Sequence, residues 1–594
     1  MKRIVAIVSA FLCCLALYAV PARPGYYPYT QPDGSIIRLQ KIGDEFGHYI
    51  VNEAGEVVEM DENGFYRKLD PQAVAQRRSA IRMRAAAARR LRARHAPARG
   101  IAAGQKHFLV ILVEFTDKFF TVPNTADAFT RLLNEQGYSD NGAVGSARDF
   151  YYENSHEYFE PVFDVYGPIK VGNGYSYYGA NDSSGNDMHP EEAVIEACQG
   201  LDDKVDFSNY DLDGDGYVDM VFMYYAGYGE ADYHGDRNII WPHQWYIESG
   251  AEITVELDGV KLDSYACTNE LNPDDTMCGI GTACHEFGHA MGLPDFYDTD
   301  YGTNGQASAL FSYSLMCSGS YNNSGRTPPY FNMIERIMLG WLPESSIREF
   351  SASGTVTIPP VNENVAYRSS TDMDGEFFIY ECRGEEGWDA ALPGHGLLVY
   401  HADQSSREID VKVMDDSGRY VDKKFPASEL WSNWQDYNII NENGSHPCFY
   451  LVPSLDQKNY KYSEYSASKV PFPCNGSVTS FVPVSWNGVT SLLTLSSISY
   501  SSGQVSLSVS VPQEDLEYNV ISNPGGGHYS VGDRFAFSLV ESASRPVSSA
   551  QWYFDDEPVS SDSVSLTAGV HCVEAHLTLT NGKTKIITLE ITVD

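Results

Sequence analysis

Apolar positions along this chain fall into short continuous runs separated by polar punctuation, and the runs differ in period. Phe108-Leu109-Val110-Ile111-Leu112-Val113-Glu114-Phe115 is apolar and β-branched throughout, the pattern of a strand covered on both faces. Tyr217 to Tyr225 repeats that pattern. Between and after them the apolar residues return at helical spacing in Thr125 to Gln136, Ala147 to Glu153, Pro190 to Cys198 and Ile280 to Met291. Strands and helices therefore alternate up to Met291. Past Trp341 the pattern turns to short strands such as Phe377 to Tyr380 and Gly396 to His401, separated by Gly, Pro and Asn. Near the start, Ser35 to Leu39, His48 to Asn52 and Val57 to Met60 read as small strands, with turns at Asp33-Gly34 and Asn63-Gly64. The fold class expected is α+β with much additional β structure. At 594 residues, 43% of them hydrophobic, the chain exceeds one core and should divide into several domains.

The first apolar run is of another kind. Met1-Lys2-Arg3 precedes an apolar stretch from Ile4 to Val20, with small-residue exits near Ala19 or Ala22, so residues 1–22 read as a secretory signal. The run is shorter than the roughly 20 apolar residues that span a bilayer. Cys13 and Cys14 do not follow small residues, which argues against lipid attachment. A secreted or cell-surface location without stable membrane insertion is expected.

Charge is distributed unevenly. Residues 1–100 hold 16 of the 41 Lys+Arg but only 9 of the 80 Asp+Glu, so the remainder is strongly acidic. Nine Arg and no acid lie between Arg77 and Arg99, interleaved with Ala. Such a segment can be a nucleic-acid arm. Beside an acidic body it reads better as a linker that is easily cut at Arg, and no nucleic acid is expected as a partner.

The most specific pattern is His285-Glu286-Phe287-Gly288-His289-Ala290-Met291-Gly292-Leu293-Pro294-Asp295. On a helix, His285 and His289 stand at i and i+4 on one face, where both imidazoles reach one metal. Glu286 lies about 100° round the helix, placed to act on a water without ligating the metal. Gly292 lets the chain leave the helix, and Asp295 returns as a third ligand, with Asp298 a competing carboxylate. Two nitrogens and one carboxylate would leave a fourth position open, as a hydrolytic zinc requires. A lone His pair at this spacing is a weak signal; the added Glu, Gly and Asp make it strong. Asp44-Glu45-Phe46-Gly47-His48 copies part of the motif but lacks the leading His and reads as turn and strand.

Ser314-Leu315-Met316-Cys317-Ser318-Gly319-Ser320-Tyr321 follows, a turn with Met near its centre. With it the chain resembles the metzincin clan, and more closely the secreted immune inhibitor A-like metallopeptidases. That pattern also includes Gly279-Ile280-Gly281-Thr282, Glu335-Arg336, Leu339-Gly340-Trp341, Gly145 to Phe150 with Glu153-Asn154-Ser155, Ile240-Trp241-Pro242-His243, Gly387-Trp388-Asp389 and Gly396 to His401. His156-Glu157 departs from it. The resemblance covers about residues 105 to 510. It implies a zincin-like catalytic domain with the active-site helix under a mixed sheet, a methionine floor beneath the zinc, and Tyr321 as a stabiliser of the oxyanion. It further implies protein or glycoprotein substrates.

The expected organisation follows: signal 1–22, prosegment and Arg-rich linker 23–104, catalytic domain 105–420, β-sandwich 421–512 and an immunoglobulin-like unit 513–594, the whole a monomer. The prosegment has no Cys to hold a zinc, so a carboxylate such as Asp33 is the candidate for that role. The expected activity is that of a zinc endopeptidase made as a zymogen, with Glu286 as general base. The rival is a non-catalytic surface adhesion protein with a structural metal, which would need a fourth protein ligand.

A second metal candidate is Asp211-Leu212-Asp213-Gly214-Asp215-Gly216-Tyr217-Val218-Asp219. Asp211, Asp213, Asp215 and Asp219 occupy positions 1, 3, 5 and 9 of a calcium loop with Gly at 6, but the twelfth position is Phe222. Calcium is expected there; the plainer reading is an acidic turn before a strand. Nine Cys follow the signal, an odd number, so at least one is unpaired. His401 and Asp403 read as structural.

Overall fold

The computed structural model describes residues 20–594 apart from 45–46, 82–100, 183–184, 233–237, 252, 300–308, 374, 405–408, 415–419, 426–437, 439, 442–443, 445, 456, 458–466, 512–519, 522–528, 541–546 and 580–583. The signal run to Ala19 and the Arg-rich segment from Arg82 to Arg99 therefore lie outside the described residues.

The chain opens with a meander of five antiparallel strands: β1 (Tyr27–Thr30), β2 (Ile36–Asp44), β3 (Gly47–Asn52), β4 (Val57–Met60) and β5 (Tyr66–Lys68). It docks on the next unit through polar as well as apolar contacts. Lys41, almost fully buried, donates from Nζ to the Glu230 carbonyl at 2.5 Å, and His48 Nε2 lies 3.3 Å from the Glu230 carboxylate.

The central sheet runs β9-β10-β8-β6-β7, with β6 (Gly104–Glu114), β7 (Phe159–Lys170), β8 (Val221–Tyr228), β9 (His243–Tyr246) and β10 (Ser264–Leu271). All neighbours are parallel except β9, the antiparallel edge strand. β6 and β8 lie inside the sheet, which is why Phe108–Val113 and Val221–Ala226 are apolar at successive positions rather than alternating. α1 (Thr125–Asn134), α2 (Ala147–Asn154) and α3 (Pro190–Gln199) fall where their periodicity places them. Ser146 and Asp149 form a capping box that starts α2. The run from Tyr217 to Tyr225 is not one strand. Tyr217–Val218 joins a small separate sheet, and Asp219 turns the chain before β8 begins.

α4 (Gly281–Ala290) packs against this sheet through Phe287, whose ring lies 4.7 Å from Phe108, 5.1 Å from Tyr151 and 5.5 Å from Phe163. α5 (Met333–Met338) starts in a second capping box, Asn332 with Glu335.

Downstream lies a five-stranded sheet in the order β11 (Ile347–Glu349), β12 (Ala366–Ser370), β13 (Glu376–Arg383), β14 (Gly396–Asp403) and β15 (Phe449–Leu451). Residues 354–358 pair with 504–510, which pair with 494–501. The two sheets share a core that mixes Phe378, Tyr380 and Val399 with Phe481, Leu495 and Leu507. The strands after residue 421 are thus completed by strands before it, and the sheet boundaries do not follow a division at 420/421. The last unit carries a four-stranded sheet built from residues 547–554, 557–559, 569–579 and 584–593. The nine cysteines among the described residues are free thiols.

Candidate metal centre and catalytic cleft

α4 presents His285 and His289 from one face, both fully buried, with ring centroids 4.7 Å apart. Each imidazole is oriented by its Nδ1, which contacts the Leu315 carbonyl at 2.8 Å in His285 and the Leu293 carbonyl at 2.8 Å in His289. The two Nε2 atoms are thereby aimed at one point and stand 3.0 Å apart. Gly292 adopts φ of +99°, a value costly for a side chain, and Leu293 N–H then bonds back to the Gly288 carbonyl at 2.9 Å. That exit brings Asp295 Oδ1 to 3.3 Å from His285 Nε2 and 3.4 Å from His289 Nε2.

Asp295 is held from its other side. Asn438 donates from Nδ2 to Asp295 Oδ2 at 2.7 Å and accepts the Asp295 N–H at 2.5 Å, while Oδ1 has no hydrogen-bond partner. Burial raises the Asp295 carboxyl, but His289 and His285 more than offset it and hold the group below the usual carboxylate range. Three ligand atoms of neutral-imidazole and carboxylate type, converging in a buried site with an unpartnered oxygen, fit a zinc-type cation. Among the described residues, no fourth His, Cys, Asp or Glu joins the three. Asp298 is buried nearby but is not part of the group.

Met316 lies directly beneath. A Cβ placed on Gly288 would fall 2.8 Å from Met316 Sδ, so α4 rests on that sulfur at its glycine. The turn is tied in place by Ser314 Oγ, which donates to Glu335 Oε1 at 2.5 Å, and by the Met316 carbonyl, which accepts the Phe296 N–H at 2.8 Å.

Glu286 is fully buried, and burial pushes its carboxyl well above the ordinary range. Its Oε1 accepts the Val20 main-chain N–H at 2.9 Å, and Oε2 is without a partner. The chain beyond Val20 crosses the cleft. Trp241 Nε1 donates to the Val20 carbonyl at 3.1 Å, Tyr321 donates from its hydroxyl to the Pro21 carbonyl at 2.8 Å, and Arg23 N–H reaches the Ala231 carbonyl at 3.0 Å. Tyr321 therefore faces this segment. Asp33 is elsewhere: it sits in an exposed turn, where Oδ1 accepts from Ser35 N and Oγ at 2.9 and 2.6 Å. The contact with Glu286 is made by the main chain of Val20 rather than by a carboxylate.

Several of the motifs that carry the resemblance act as scaffold. Arg383, buried, bonds Asp389 from Nη2 and Nε at 2.6 and 2.8 Å and donates to the Tyr313 and Tyr330 carbonyls. Trp388 donates to Glu153 at 2.9 Å, and Asn154 accepts the Phe331 N–H at 2.8 Å. His243, buried beside Trp241, contacts the Trp241 carbonyl through Nδ1 and the Tyr265 hydroxyl through Nε2. His401 is buried against Glu376 and Tyr450.

In the acidic loop, Asp211, Asp213 and Asp215 bring carboxylate oxygens within 4.8 Å of one another. Asp219 does not join them; its Oδ2 accepts the Leu212 N–H at 2.5 Å. Burial first, then Asp213, Asp215 and Asp211, push the Asp219 carboxyl up to about 7.

A helix-borne His pair closed by a carboxylate, with a buried Glu beside it, is an arrangement suited to a metallopeptidase. Residues 95–335 match the immune inhibitor A peptidase M6 catalytic domain. Two curated relatives agree. Immune inhibitor A of Bacillus thuringiensis subsp. alesti is 30% identical over 183 residues, 26% of this chain and 26% of its own length. Pre-pro-metalloprotease PrtV of Vibrio cholerae serotype O1 is 26% identical over 270 residues, 38% of this chain and 29% of its own. The match thus spans less than a third of either relative. The solved structure of wild-type OgpA from Akkermansia muciniphila shares 9% identity over 83% of this chain and 94% of its own, with a TM-score of 0.19, too low to carry an argument.

Proposed function

We propose that this protein is an exported zinc endopeptidase, made as a zymogen, that hydrolyses peptide bonds in extracellular proteins. The observation that carries this reading is the convergence of His285 Nε2, His289 Nε2 and Asp295 Oδ1 beside a buried, half-engaged Glu286. His285, His289 and Asp295 would hold a zinc ion, which when bound would supply Lewis-acid polarisation of the scissile carbonyl and a lowered pKa for the attacking water. Glu286 takes the proton from that water. It then delivers that proton to the leaving amine. The buried walls around the cleft exclude bulk water, and Met316 fixes the height of α4. The family and the names of its relatives support this reading.

Latency rests on the segment Val20–Arg23. Its main chain engages Glu286, Trp241 and Tyr321 together, so it occupies the space a substrate would need. A signal exit after Ala19, rather than Ala22, leaves this segment in place and turns the Val20 nitrogen into an α-ammonium facing Glu286. Cutting in the Arg-rich linker then separates the prosegment sheet from the catalytic unit. The cluster of Asp211, Asp213 and Asp215 is the proposed calcium site, with Asp219 outside the first set of ligands.

The test is Glu286→Gln in linker-cleaved protein. One zinc per chain by elemental analysis, with casein cleavage lowered by at least about 100-fold, is the expected result. Undiminished cleavage in this variant refutes the assignment of the base.

A further inference from the structure

The direction of the Val20–Arg23 segment identifies the subsites it fills. Glu286 delivers its proton to the leaving amine, so a nitrogen bonded to Glu286 Oε1 stands where that amine would be. Val20 is then the first residue on the amine side of the scissile bond, Pro21 the second, Ala22 the third and Arg23 the fourth. The first, second and fourth are gripped through main-chain atoms by Trp241, Tyr321 and Ala231, contacts that any sequence can make.

The fourth residue is also held by its side chain. Arg23 Nη1 lies 3.7 Å from Asp232 Oδ2, and its guanidinium sits 5.9 Å from the centroid of the Tyr321 ring. The Asp232 side chain is only 9% exposed, which makes it a poor surface charge and a good partner for a cation. Beside it lies a shallow hollow lined by Asp232, Asn269, Asn272, Ser320 and Tyr321 among others. The Ser320 hydroxyl in its wall is fully buried and without a hydrogen-bond partner. One carboxylate, two amides and an unsatisfied hydroxyl suit a forked donor better than an apolar side chain.

We propose that Asp232 is a specificity-determining residue, and that the enzyme favours polypeptides carrying Arg, or next Lys, four residues beyond the cut on the amine side. The inference rests on the peptidase reading above. It makes the prosegment's Arg23 a mimic of the preferred substrate side chain.

The experiment uses the full chain nicked in its Arg-rich linker and internally quenched peptides identical except for Arg, Gln or Glu at that fourth position. The expected result is a kcat/KM for the Arg peptide roughly 3- to 10-fold above the Gln peptide, with the Glu peptide lowest. In Asp232→Asn the three should converge, and in Asp232→Arg the order should invert toward Glu. Equal kcat/KM for all three in the unsubstituted protein overturns the inference while leaving the peptidase reading standing. Absence of any casein cleavage instead removes the peptidase reading. In that event a binding measurement still decides. Fluorescent peptides beginning Val-Pro-Ala-Arg and Val-Pro-Ala-Gln are titrated against the same protein; several-fold tighter binding of the first supports the Asp232 pocket, and equal Kd values contradict it.

Discussion

Replacing Gly281 by Ala separates two opposed expectations. Gly281 opens α4, and by helix propensity Ala should stabilise it by up to about 1 kcal/mol, less at this terminal position. The packing says otherwise. A Cβ there would fall 2.0 Å from the Ser320 carbonyl oxygen, 2.9 Å from its carbon and 3.0 Å from Gly325 Cα. All three are backbone atoms, so no rotamer change relieves the overlap, and either the helix or the 318–325 turn has to move by about 1 Å. Overpacking of this kind costs about 1–3 kcal/mol and occasionally more, which outweighs the propensity gain. The displaced turn carries Tyr321, and a shift of that size in a cleft can cost about 100-fold in turnover. Urea unfolding followed by tryptophan fluorescence, with Gly384→Ala as control, measures the effect. A Cβ on Gly384 would meet nothing closer than 3.6 Å. We expect Gly281→Ala to lower the midpoint clearly and the control to leave it nearly unchanged. An unchanged or raised midpoint for Gly281→Ala would refute the claim that α4 and the turn are in backbone contact.

Burial lowers the His243 imidazole to about 4, well under its unfolded value. The unfolded chain therefore binds the extra proton first, and the stability present above pH 6.5 is lost as pH falls toward 4, by about 3 kcal/mol in all. The unfolding free energies of unsubstituted protein and His243→Gln should converge by that amount over this window; parallel curves would show that folding does not lower the His243 pKa. For the acidic loop, calcium should raise the thermal midpoint of the full chain and Asp213→Asn should blunt that rise. No response to millimolar calcium would leave the loop an acidic turn.

Much of the centre is legible in the sequence because its spacing is helical and local. His285, Glu286 and His289 share one helix, and Gly292 and Asp295 follow within six residues, so one element and its exit build the site. Asn438 is different: it holds Asp295 from 143 residues away and has no pattern of its own. Val20 is hidden for another reason. It closes an apolar run whose composition reads as export signal, while its contact with Glu286 uses a main-chain N–H that every residue but Pro possesses. Side-chain chemistry likewise points to Asp33, whereas the contact with Glu286 is made by the Val20 backbone. In the β-rich half, the strand patterns mark elements but not partners, so the pairing of residues 354–358 with 504–510 could not be read from either segment. Asp219 broke the run from Tyr217 because its carboxylate caps the acidic loop, a polar contact that a hydrophobic pattern does not register.

The most direct test compares casein cleavage by the intact chain and by chain cut in the Arg-rich linker, each with a zinc chelator and then with zinc restored. Little activity before cutting, strong activity after it, loss with chelator and recovery with zinc are expected. Cleavage by the cut protein that persists with its zinc removed would contradict the role given to His285, His289 and Asp295.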